Sequence, residues 1–138
     1  MPHVMLVEPD DDFCLSLRMA IGRAGCRVTI TGSFAEASAA LSSSDEIDKV
    51  VTEAWLRDGS GLVLAQHARQ LGKTVFVLRK RRGRVVVFDG EIPIFVGDQA
   101  GAGAFLAQAL LEGTANQRSA IVKPAVEARR RRGRRPAS

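Results

Sequence analysis

The chain has 138 residues, 46% hydrophobic and 25% charged, enough for one globular unit with at most a short appendage. No apolar run approaches the ~20 residues that span a bilayer, and in "MPHVMLVEPDDD" acids follow the short apolar run at once, unlike a secretory signal. The net charge of +5 is uneven: residues 116–138 hold eight basic residues and one acid, a net +7, leaving −2 on residues 1–115.

In chain order, "VMLV" (4–7) predicts a strand that ends in acids, with Asp11 or Asp12 capping the next helix. Phe13, Leu17, Ala20, Ile21 and Ala24 then form a helical stripe that Gly25 terminates. "RVTIT" (27–31) is β-branched and predicts a second strand. "SFAE" opens a helix with a capping box, Ser33 bonding forward and Glu36 reaching back, and Ala37, Ala40 and Leu41 give it an apolar face.

"KVVTE" (49–53) predicts a third strand that delivers Glu53 to the end of the sheet, followed by the "RDGSG" loop. Leu62, Ala65 and Ala68 continue as a helix through about Gln70. "TVFVL" (74–78) is apolar throughout, as a central parallel strand is. "IPIFVG" (92–97) predicts a fifth strand, and Phe105, Leu106, Ala109 and Leu110 a last helix ending near Gly113.

The segment between the last two strands, "RKRRGRVVVFDGE", has no helical face. Val85, Val86, Val87 and Phe88 would cover all sides of a helix, and β-branching favours extended chain. The expectation is a strand or hairpin there, with some of these four residues exposed or pairing two copies along a sheet edge. The alternation as a whole predicts an α/β fold: a doubly wound, five-stranded parallel sheet. Function in such folds gathers at the carboxyl ends of the strands. Those ends carry Glu8, Pro9 and Asp10, then Glu53, then Arg79, then Gly97 and Asp98.

"VMLVEPDDD" and "VVTEAWLRDGSGLVLA", in that order and spacing, resemble the receiver domain of bacterial two-component response regulators. The resemblance spans roughly residues 3–113 and implies a flavodoxin-like, receiver-like domain over 1–115; the basic, low-hydrophobicity composition of 116–138 predicts a disordered tail. In that family two acids after the first strand hold Mg²⁺ and an Asp accepts the phosphoryl group. A Thr or Ser after the fourth strand senses it, and a Lys after the fifth neutralises it. Here the first acid is kept as Glu8, while the second falls on Pro9, leaving Asp10 as the nearest substitute. The acceptor position holds Glu53, the Thr/Ser position Arg79, and the Lys position Asp98 or Gly97.

The departures imply a pseudo-receiver: not an enzyme, no cofactor, and weak or absent Mg²⁺ binding. Glu53 would be a fixed charge, with Arg79 pairing with Glu53 or Asp98 inside the pocket. The expected role is signalling by binding another protein in the cytoplasm, possible homodimerisation included. One alternative is a receiver phosphorylated on a different acid, Asp10 or Asp58. Another is a nucleic-acid-associated regulator. Its contacts would come from Arg79, Lys80, Arg81, Arg82 and Arg84, and from the tail residues Arg129, Arg130, Arg131, Arg132, Arg134 and Arg135. His3 and His67 are lone histidines, and Cys14 and Cys26 lack metal-ligand spacing, so all four are expected to be structural.

Overall fold

A computed structural model of the chain describes residues 1–43 and 45–112. The expected domain boundary near 115 and the tail arginines Arg129 to Arg135 lie outside the described residues.

The order of elements is β1 (His3–Val7), α1 (Asp11–Arg23), β2 (Arg27–Thr31), α2 (Phe34–Ser43), β3 (Lys49–Glu53), β4 (Trp55–Leu56), β5 (Gly59–Ser60), α3 (Gly61–Gln70), β6 (Thr74–Arg81), β7 (Arg84–Asp89), β8 (Ile92–Gly97) and α4 (Gln99–Glu112). Six strands form one sheet in the order β2-β1-β3-β6-β7-β8, and β4 and β5 make a two-stranded ribbon. The pairs among β1, β2, β3 and β6 are parallel, whereas β7 is antiparallel to both β6 and β8.

The five strands expected from the sequence are present, and β8 runs in the same direction as β6. The expected count of five parallel strands changes in one respect. The segment that lacks a helical face enters the sheet as a sixth, antiparallel strand between β6 and β8. Its turn is tight: Arg81 pairs with Arg84, leaving Arg82 and Gly83 as a two-residue loop. Both loop residues have positive φ, 53° and 79°, the combination that matches the twist of a hairpin.

Period-two alternation divides the strand side chains between two cores. Val4, Leu6, Val51, Phe76, Leu78, Val85 and Val87 pack beneath α1 and α4 on the first face. Met5, Val7, Val50, Val75 and Val77 pack beneath α2 and α3 on the second. Val85 and Val87 are therefore fully buried, and Val86 and Phe88 are half-buried. The expected exposed edge at these four residues is corrected: β7 is an interior strand, and β8 is the edge.

Local signals account for the ends of the helices. Asp10, not Asp11 or Asp12, caps α1, its side chain accepting from the backbone N–H groups of Asp12 and Phe13. At α2, Ser33 Oγ accepts from Glu36 N at 3.1 Å, and the Glu36 carboxylate reaches one residue further back than a capping box does, to Gly32 N at 2.9 Å. His3 is buried, with its Nε2 2.6 Å from Thr29 Oγ1, and both cysteines are buried and free.

Candidate functional site

Register brings the acids together. Leu6 of β1 pairs with Val51 of β3 and Val7 with Thr52, so one further step places Glu8 beside Glu53, both on the first face. Glu8 is 2% exposed and Glu53 5% exposed. The close approach of the following loop holds Glu53 in place. Gly61 N donates to the Ala54 carbonyl at 2.8 Å, and a Cβ at Gly61 would run into the Glu53 carbonyl oxygen. The second glycine of the "DGSG" loop is thus a packing requirement.

The cation in the pocket is Lys80. Glu53 pairs with Leu78 across β3 and β6, and two residues further along the same face of β6 comes Lys80. Its Nζ lies 2.9 Å from Glu8 Oε2 and 3.3 Å from Asp10 Oδ2, and 5.1 Å from the centroid of the Phe13 ring. Glu8 Oε2 also accepts from Asp10 N at 3.0 Å.

Arg79, expected in the pocket, points to the opposite face because neighbouring strand residues alternate. It is exposed, and its guanidinium lies 5.9 Å over the Trp55 ring. Among the described residues it forms no ion pair with Glu53 or Asp98. Asp98 is also outside the pocket: it is exposed at the start of α4 and accepts from Gly101 N at 2.7 Å. The inserted β7 displaces β8 from β6 by about 4.8 Å, one strand spacing. Lys80, expected as a surface contact for a partner or nucleic acid, is instead committed to Glu8 and Asp10.

Burial sets the protonation of this group. It pushes the Glu53 carboxyl up to about 8; the negative charge of Glu8 and hydrogen bonding with it add to the rise, and Lys80 opposes it. Burial pulls the Lys80 ammonium down, but Glu8, Glu53 and Asp10 outweigh that and leave it above its ordinary value. Asp10 is held below its ordinary value by the Phe13 N–H and by Lys80. Glu53, expected as a fixed charge, is therefore shifted toward its neutral, protonated form at neutral pH, beside the Lys80–Glu8 pair. Glu8 Oε1 and Glu53 Oε2 are buried without another partner, and the Glu53 proton is the group available to join the two side chains.

These residues do not fit a divalent cation. The ammonium of Lys80 already engages Glu8, and Pro9 offers no side-chain ligand. Among the described residues no group of three or more His, Cys, Asp or Glu side chains could hold a metal ion. Asp58 is occupied elsewhere, accepting from Phe34 N at 2.8 Å and Ala35 N at 3.0 Å at the start of α2. Those two N–H groups hold its carboxyl below the ordinary value.

No family model matches the chain, and no curated protein matches it. Among solved structures the fold is similar to that of a two-component response regulator from Clostridium difficile. The two share 18% identity with a TM-score of 0.50, over 78% of this chain and 77% of that one. At that identity the likeness establishes the fold, a parallel-rich sheet flanked by helices in the receiver-like, flavodoxin-like arrangement. Among the described residues no helix is long and apolar enough to cross a membrane.

Proposed function

We propose that the chain is a pseudo-receiver: a signalling module, working in the cytoplasm, that binds another protein and neither accepts a phosphoryl group nor catalyses a reaction. The observation that carries this reading is the pairing of Lys80 with Glu8, 2.9 Å apart, beside a Glu53 whose carboxyl is pushed up to about 8. Phosphoryl acceptance calls for an ionised nucleophile, and burial shifts Glu53 toward its neutral form. Its extra methylene relative to Asp also displaces the oxygen, and misplacement by about 1 Å can cost about 10²-fold in rate. The alternative acceptors Asp10 and Asp58 are both engaged by backbone N–H groups at helix starts.

Incubation of the full chain with acetyl phosphate and Mg²⁺, followed by intact-mass and peptide mapping, tests the reading. No phosphate-sized mass increase is expected, nor a heat of Mg²⁺ binding at low millimolar concentration. A Mg²⁺-dependent increase mapping to Glu53 overturns the proposal. One mapping to Asp10 or Asp58 replaces it with an ordinary receiver whose acceptor has moved.

A further inference from the structure

The second face of the sheet is covered by two helices where the sheet has six strands. On that face α3 packs over β3 and β6, and α2 over β1, while the helix that packs on β7 and β8 is α4, from the first face. Beyond β6, the β7–β8 end of the second face is therefore left without a covering helix, with Phe88 of β7 still packed at the margin of the α2–α3 core. The antiparallel register defines what it presents: Arg79, Val86 and Val96 lie in one row across the three strands, and Arg81 pairs with Arg84 beside them. Val96 is 55% exposed and Trp55, at the rim beneath Arg79, is 64% exposed. Among the described residues none of Arg79, Arg81 and Arg84 is in an ion pair: Asp89 and Glu91 lie at the opposite turn of the hairpin, and Asp98, one step beyond the Val85–Gly97 pair, accepts from Gly101 N at the start of α4.

We propose that this face docks an acidic amphipathic helix of a partner protein. Its apolar side would rest on Val86, Val96 and Trp55, and its carboxylates would meet Arg79, Arg81 and Arg84. The inference rests on the reading of the chain as a protein-binding module and gives the partner a chemistry. Exposed Val96 and Trp55, with half-buried Val86 in the row between Val96 and Arg79, form an apolar strip suited to apolar cover, and helix on sheet is the layer that covers the rest of this sheet. Unpaired guanidiniums beside it call for carboxylates, which they hold in bidentate geometry. Charge excludes a second copy laid face to face, because two arginine clusters would meet. It excludes the basic segment 116–138 for the same reason. A nucleic acid would satisfy the arginines but leave the valine row uncovered.

Trp55 is the chain's one tryptophan, so its emission reports the face directly. The full chain is titrated with a synthetic amphipathic helix of about 18 residues, leucines along one side and glutamates flanking them. The expected result is a saturable shift of emission to shorter wavelength that weakens as salt is raised. The affinity falls by about tenfold or more in R81S/R84S and in Val96→Asp. Both variants alter exposed side chains and keep the tail, so any binding by the tail persists in them. A lysine-for-glutamate version of the peptide is expected to leave Trp55 unmoved.

The proposal is overturned if the acidic peptide does not move Trp55, or if both variants bind it as the parent does. It is also overturned if a single-stranded oligonucleotide moves Trp55 at least as tightly and loses this in the same variants, which would give the face to nucleic acid. The acetyl phosphate assay separates the two readings. Phosphorylation of Glu53 with peptide binding intact removes the pseudo-receiver and keeps the face. Absence of both removes the face alone.

Discussion

Glu53→Gln isolates the cost of keeping a carboxyl at the centre of the pocket. The unfolded chain releases this proton near 4.5 and the folded chain near 8. A carboxyl whose folded value is raised contributes stability that is complete below the unfolded value and is lost as pH rises through the folded one. Stability should therefore decline between about pH 4.5 and 8. Each tenfold change in ionisation is about 1.4 kcal/mol, so the interval from 4.5 to about 8 amounts at most to roughly 5 kcal/mol. The Lys80 side chain is 23% exposed, so water reaches the mouth of the pocket, and screening there brings the expected loss to roughly 2–4 kcal/mol.

Gln cannot ionise, is close to the shape of a protonated Glu, and can donate an N–H toward Glu8. Urea unfolding followed by circular dichroism from about pH 5 to 8.5 should show the parent losing roughly 2–4 kcal/mol and Glu53→Gln staying flat. The two should be similar at the acid end, with the variant more stable at the alkaline end. Asp10 and Asp58, both held below 3.8, contribute stability that is lost as pH falls through their folded values, outside this window. Lys80, held above 10.5, loses its contribution only above that value. Equal slopes in parent and variant would refute the protonated centre.

Lys80→Met should cost about 2–4 kcal/mol in urea unfolding at neutral pH, since it leaves the Glu8 carboxylate buried without its cation; Arg79→Ala should cost less than about 1 kcal/mol, and the reverse order would return Arg79 to the pocket. Gly61→Ala should destabilise by about 2–3 kcal/mol, because its Cβ meets the Glu53 backbone and something must shift; a parent-like melt would mean that the loop yields easily. Arg82→Asn should stabilise by about 0.5–1 kcal/mol, measured as a rise in melting temperature, because Asn adopts the positive φ of 53° more readily than Arg at the first position of an Asn-Gly-type turn; an unchanged or lowered melt would deny that strain.

The strands were legible because their apolar runs are short, β-branched and bounded by turn residues, as in "RVTIT" and "TVFVL". The absence of a helix over 82–90 was legible for the same reason: four consecutive apolar residues from Val85 fit a pleat and not a helical stripe. Its position in the sheet was not. Whether "VVVF" hangs at an edge or enters between two strands depends on pairing, which local pattern does not encode.

The pocket was half legible. Glu8 and Glu53 end their strands, and register joins them. Lys80 was missed because the fourth strand was ended at Leu78, where its apolar run stops. Alternation carried across "RKR" would have put residue 80, not 79, on the side of Glu53. A charged stretch at the end of a strand hides its own continuation, because hydrophobicity stops marking the strand where the chain leaves the core.

The inserted strand and the neutralised pocket are physically one change. Lys80 reaches Glu8 because β6 continues three residues beyond Leu78, the partner of Glu53, and Lys80 is the second of them. Polar backbone cannot continue as an interior strand without a hydrogen-bonding neighbour on each side, and at Lys80 β7 supplies one, pairing Lys80 with Val85 and Leu78 with Val87. Had the chain turned into a helix after Leu78, residue 80 would have been carried off the sheet and Glu8 left without its cation. The same insertion pushes β8 outward, removing Asp98 from the pocket, and exposes the Arg79–Val86–Val96 row. One hairpin thus sets both the Lys80–Glu8 pair at the end of the sheet and the Arg79–Val86–Val96 row on its other face.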